Sequence, residues 1–75
     1  MNKKRRDLLK NAVALLERAS NIVSQALDQE QDSLDNMPEN LQDSVRCEKM
    51  EESIEKMEES IDEIDKAKDL ILDAL

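Results

Sequence analysis

Glycine, histidine and all three aromatic residue types are missing from this 75-residue sequence, and proline and cysteine occur once each. Each absence removes a class of function or fold. Without histidine the chain lacks the commonest metal ligand and the commonest general base. Without Phe, Tyr or Trp there is no platform on which exposed bases could stack. Without glycine, and with a single proline, little turn chemistry is left for a sheet. One cysteine makes no internal disulfide, so nothing points to an oxidising compartment. No apolar run approaches the length of a membrane span, and no signal-peptide core follows the basic start. These absences predict a soluble, intracellular protein with no cofactor and no metal, and one that is not an enzyme.

Charge is abundant instead. Charged residues make up 40% of the chain and hydrophobic residues 39%, a balance suited to long amphipathic helices. A single domain of this size supports only a small core, and oligomerisation is a common remedy. The net charge of −8 is unevenly spread. Residues 1–20 hold six basic and two acidic groups, a balance of +4, which leaves five basic and seventeen acidic groups beyond, a balance of −12. Such a chain repels duplex nucleic acid in bulk and has one locally basic end.

Apolar residues at helical spacing predict a first helix over about 3–35. One seam runs through Leu8, Ala12, Leu15, Ala19, Ile22 and Ala26. A second lies beside it, through Leu9, Val13, Leu16, Val23, Leu27 and Leu34. Together they form a face wider than one partner helix can cover. Small side chains at Ala12, Ala19 and Ala26 allow close approach, so this seam is expected to receive the second helix. A break over 36–43 follows, because Pro38 in a helix loses a hydrogen bond and clashes with the preceding turn. Ser44 is placed to cap the next helix, over about 44–74.

That second helix repeats EKMEESI twice in succession, from Glu48 to Ile61, and keeps a strict heptad. Cys47, Ile54, Ile61, Lys68 and Leu75 share one position; Met50, Met57, Ile64 and Ile71 share the other. The result is the narrow stripe of a coiled coil, on a helix of about 45 Å. The predicted fold is therefore all-α, an antiparallel two-helix hairpin forming one domain over 1–75. Folding back at Pro38 puts Ala26 near Ile54, Ala19 near Ile61 and Ala12 near Lys68, with Met50, Met57 and Ile64 completing the seam. It also sets Lys3 to Arg6 beside Asp62, Asp65, Asp69 and Asp73. Leu9, Val13, Leu16, Val23 and Leu27 then remain uncovered. They are expected to form the contact through which two hairpins make a homodimeric four-helix bundle, or a higher oligomer.

Few residues suggest a site. Asp28 to Glu39 puts acids at places 1, 3, 5 and 12 of a twelve-residue calcium loop, but Ser33 stands where the turn requires Gly, and Pro38 precedes the last ligand. An acidic helix end running into a turn describes it better. Lys3, Lys4, Arg5 and Arg6 have the chemistry to grip phosphate oxygens, with a solubilising terminus as the plainer account. Arg46, in the first turn of the second helix, opposes the helix dipole, which suggests a partner in Asp35, Glu39 or Asp43, or an external anion. Cys47 sits on the apolar stripe as an unreactive thiol. Lys68 interrupts that stripe, where a polar residue often fixes register and otherwise snorkels to solvent. Glu51, Glu52, Glu55, Glu58, Glu59, Asp62 and Glu63 form a solvated face that also resembles a line of phosphates.

The segment NMPENLQDSVRCEKMEE, Asn36 to Glu52, with the acidic heptad helix behind it, resembles small uncharacterised helical proteins encoded by phages and prophages of Gram-positive bacteria. Met37 to Gln42, Ser44 and Arg46 carry the resemblance, which covers about the second half of the chain. It implies a location in the cytoplasm of a bacterial host and a role in phage–host interaction, but transfers no catalytic residue. Two anti-defence mechanisms fit the residues: a hairpin oligomer sequestering a small anionic nucleotide through Arg5, Arg6 and Arg46, or blocking a host protein through its acidic or apolar surface. The alternative is a structural or assembly coiled coil whose only partner is itself.

Overall fold

The computed structural model describes residues 1–42 and 44–75. Helix α1 spans Lys3–Asp35, a single 3₁₀ turn spans Glu39–Leu41, and helix α2 spans Val45–Asp73. The described residues include no strand. Each long helix starts at a polar cap. Asn2 Oδ1 accepts from the Arg5 N–H at 2.9 Å, and Ser44 Oγ accepts from the Cys47 N–H at 3.2 Å. Such caps satisfy backbone donors that have no partner one turn earlier. At the far end of α1, Asn36 donates twice to the Asp32 carbonyl, from its backbone N–H at 3.1 Å and from its side-chain amide at 2.8 Å. Pro38, at φ −56° and ψ 143°, then turns the chain into the 3₁₀ segment, where the Leu41 N–H bonds the Pro38 carbonyl at 2.9 Å. The helix stops where proline forbids it to continue.

The two helices pack against each other as an antiparallel hairpin measuring 60 × 15 × 12 Å. Its radius of gyration is 17.3 Å, against roughly 11 Å for a compact domain of this length. No helix among the described residues is long and apolar enough to cross a membrane.

The seam between the helices is not the expected one. Val13, Cys47 and Ile54 are the buried apolar side chains among the described residues, at 8%, 4% and 7% exposure. On α1 the shielded line runs Leu9, Val13, Leu16, Ser20, Val23, Leu27, Glu30 and Leu34, all buried or half-buried. Its steps of four and three residues match the heptads of α2, where Met50, Met57, Ile61, Ile64, Lys68 and Ile71 are half-buried beside Cys47 and Ile54. So Leu9, Val13, Leu16, Val23 and Leu27, expected to face a second hairpin, line the inside of this one. Ala12 and Ala19 are half-buried at its edge, and Ala26 is exposed.

Side-chain size explains the exchange. Shielding a leucine or valine stabilises by about 1.5–3 kcal/mol, far more than an alanine methyl, so α2 docks on the bulkier line. The other line is left to solvent, with Leu8, Leu15 and Ile22 at 62%, 57% and 56% exposure.

The Lys68 ammonium lies 3.7 Å from Glu17 Oε1 and 3.8 Å from Asp65 Oδ1. Side chains this long reach across about one helical turn, so the contact is compatible with Lys68 near the level of Ala12. Residues 1 to 8 are exposed throughout, and Lys3 to Arg6 make no ion pair with Asp62, Asp65, Asp69 or Asp73.

Candidate functional site

Three surfaces have the chemistry to engage a partner: the basic tip, the acidic outside of α2 and the apolar outside of α1. The tip is the first turn of α1. Lys3, Lys4, Arg5 and Arg6 are exposed, and none makes an ion pair among the described residues. No acidic residue occupies that turn to complement the positive end of the helix dipole, so four cations stand where the dipole disfavours them. This arrangement attracts negative charge. A shallow, open groove lined by Lys3, Lys4, Asp7, Leu8 and Asn11 lies alongside. The Asp7 carboxylate in its wall opposes an anion.

Arg46 is not part of that tip. It occupies the first turn of α2, at the loop end of a rod 60 Å long, while Lys3 to Arg6 lie at the opposite end. One chain cannot close both around one small ligand. Arg46 is exposed and makes no ion pair with Asp35 or Glu39; the third suggested partner, Asp43, lies outside the described residues. One of these acids is engaged elsewhere. Asp35 Oδ1 accepts from the Gln31 amide at 3.0 Å.

The segment with calcium-loop spacing is helical up to Asp35. Successive helical residues are rotated by about 100°, so Asp28 and Asp32 share one face while Glu30 points away, and the three do not converge on a point. Among the described residues no group of three or more acidic or cysteine side chains is arranged to hold a metal ion. Cys47 is buried, and its thiol lies 3.7 Å from Glu51 Oε1.

The acidic outside of α2 is only lightly neutralised. Lys56 bridges Glu59 at 3.5 Å and Lys66 bridges Glu63 at 3.3 Å. Glu52, Glu55, Glu58 and Asp62 have no such bridge among the described residues and are exposed.

Two features escaped the sequence reading. The Glu17–Lys68 pair is one: a lysine on an apolar stripe signals that a carboxylate is needed nearby, but not which one. The other is the free line through Leu8, Leu15 and Ile22. Both α1 seams have the same spacing, and spacing alone does not rank them. Compared with models of known protein families, with curated proteins and with solved structures, the chain matches none.

Proposed function

We propose that this chain is a non-catalytic, self-associating helical binding protein that works by covering surfaces of other proteins. The observation that carries the reading is the amount of surface the hairpin leaves open. Its accessible area is 5871 Å², whereas a compact monomer of 8.6 kDa exposes roughly 4,700 Å². Part of the excess is a continuous apolar line on α1, the kind of patch that marks a protein interface. Self-association accounts for that line. The acidic outside of α2 is then the surface offered to a foreign partner, which should be basic. With the resemblance to phage and prophage proteins, this reading becomes blockade of a basic host protein in the bacterial cytoplasm, an anti-defence role.

Affinity capture from a bacterial host lysate tests it. The expected result is a basic protein retained at low salt, released by about 0.5 M salt, and lost when Glu52, Glu55 and Glu58 are changed to Lys. Retention unchanged by salt and by charge reversal would overturn the acidic-face mechanism.

A second reading, capture of a small anionic nucleotide, is favoured by the four cations of the tip, which make no ion pair among the described residues. It predicts that a cyclic or linear dinucleotide raises the melting temperature, and that Arg5→Ala with Arg6→Ala abolishes the rise. Within one chain Arg46 contributes nothing to such a site.

A further inference from the structure

We infer that the partner seated on the free line of α1 is a second copy of the same chain, running antiparallel to the first. This rests on the self-associating reading above and specifies its face and direction. Leu8, Ala12, Leu15, Ala19, Ile22 and Ala26 step by four, three, four, three and four residues, so they form a complete coiled-coil seam in their own right. Large and small side chains alternate along it. In an antiparallel pair with its two-fold axis at the level of Glu17, Leu8 meets the partner's Ala26, Ala12 meets the partner's Ile22, and Leu15 meets the partner's Ala19. Every layer then joins one large residue to one small one, and the helices keep a constant, close separation. A parallel pair would place Leu8, Leu15 and Ile22 each against itself and the alanines against alanines. Its layers would be alternately overfilled and hollow.

Charge selects the same direction. Residues 1–10 hold five basic groups and one acidic, a balance of +4, while residues 26–35 hold Asp28, Glu30, Asp32 and Asp35 and no basic group, a balance of −4. Both ends of α1 run against the helix dipole, with no acid in the first turn and no base in the last. The antiparallel arrangement brings Lys4 and Arg5 level with the partner's Asp28 to Asp32, so each mismatched end faces its opposite. Parallel alignment stacks like on like. One exposed like-charge approach remains, between Arg18 and its own copy beside the axis, where solvent screens it.

The area agrees. The open surface exceeds that of a compact monomer by roughly 1,200 Å², and a specific dimer of standard size buries about 800 Å² on each partner. The result is a four-helix bundle with the two α1 helices in the middle. An isologous contact of this kind closes on itself and leaves both α2 helices outside.

Light scattering coupled to size-exclusion chromatography at about 100 µM tests the face. The wild-type chain is expected at twice 8.6 kDa, and Leu15→Glu and Ile22→Glu at 8.6 kDa with helical circular dichroism retained. Neither residue belongs to the shielded line of the hairpin, so these variants should remain folded. Pulsed electron spin resonance with a nitroxide at Lys4→Cys, in a Cys47→Ala background whose mass and helicity match the parent, tests direction. Antiparallel copies put the two labels roughly 40 Å apart, whereas parallel copies put them under about 20 Å. A wild-type monomer would remove self-association altogether. A dimer indifferent to Leu15→Glu, or one with the short label distance, would leave self-association standing and overturn this assignment.

Discussion

The two helices share a length scale and a heptad spacing, yet they are unequal. Helix α2 carries one narrow apolar stripe and is mostly acidic elsewhere, with Val45, Leu70 and Leu72 exposed near its ends; α1 carries two stripes side by side and has a basic end and an acidic end. A helix with one stripe is satisfied by one neighbour, whereas a helix with two needs a second. The hairpin satisfies α2 and half of α1. On the proposed self-association, α1 belongs on the inside of the assembly and α2 on its rim.

Substitutions at matched apolar positions should break this comparison most sharply. Ile54 is shielded at the hairpin seam, and Ile54→Ala is expected to destabilise by about 2–4 kcal/mol. Leu15→Ala, on the free line, should cost under about 0.5 kcal/mol in the separated hairpin. Urea unfolding followed at 222 nm checks both, provided total concentration is held constant and low, because association adds to apparent stability. Equal losses at the two positions in a monomeric sample would mean that α2 sits on the other stripe.

Smaller effects should come from the polar devices. Ser44→Ala removes the cap of α2 and is expected to cost about 1 kcal/mol by the same measurement. Asn2→Ala, at the exposed end of α1, should cost less, since no neighbouring helix holds that turn in place. Lys68 is 22% exposed and reaches Glu17 on the other helix. Lys68→Glu should lose about 1 kcal/mol through repulsion, with Glu17→Lys restoring most of it. Lys68→Met should be neutral or mildly stabilising, because an apolar residue there continues the stripe. No recovery in the Glu17→Lys, Lys68→Glu double variant would show that the two side chains do not interact across the seam. The smallest effect is expected at Lys56→Ala, under about 0.5 kcal/mol, since its pair with Glu59 is exposed.

Much of the fold was legible because α2 leaves little choice. Its strict heptad from Cys47 to Ile71 defines one buried line, and Pro38 defines where α1 must stop. The choice between the seams of α1 was not legible from periodicity. Ala12, Ala19 and Ala26 promised close packing, but the hairpin forms where leucine and valine shield more area. The Glu17–Lys68 contact was equally hidden, because a lysine on an apolar stripe does not say which carboxylate it reaches. Within one chain Arg46 and the basic tip lie at opposite ends of the rod, so only separate copies could bring them to one small ligand.

The order of contacts along the rod also has a kinetic consequence. Near the loop, Leu34 and Cys47 line one groove and are separated by a short stretch of chain; farther along, Glu17 meets Lys68 across a much longer one. Closing a loop becomes entropically costlier as it lengthens, so each layer is cheapest to form once the layer nearer Pro38 is in place. The hairpin should therefore close like a zipper from the loop outward and open from the other end. Amide hydrogen exchange should rise progressively from Cys47 toward Asp73 along α2, and from Leu34 toward Lys3 along α1. A flat protection profile would indicate all-or-none opening. With the gradient, the basic tip is the last part of the hairpin to order and the first to be released.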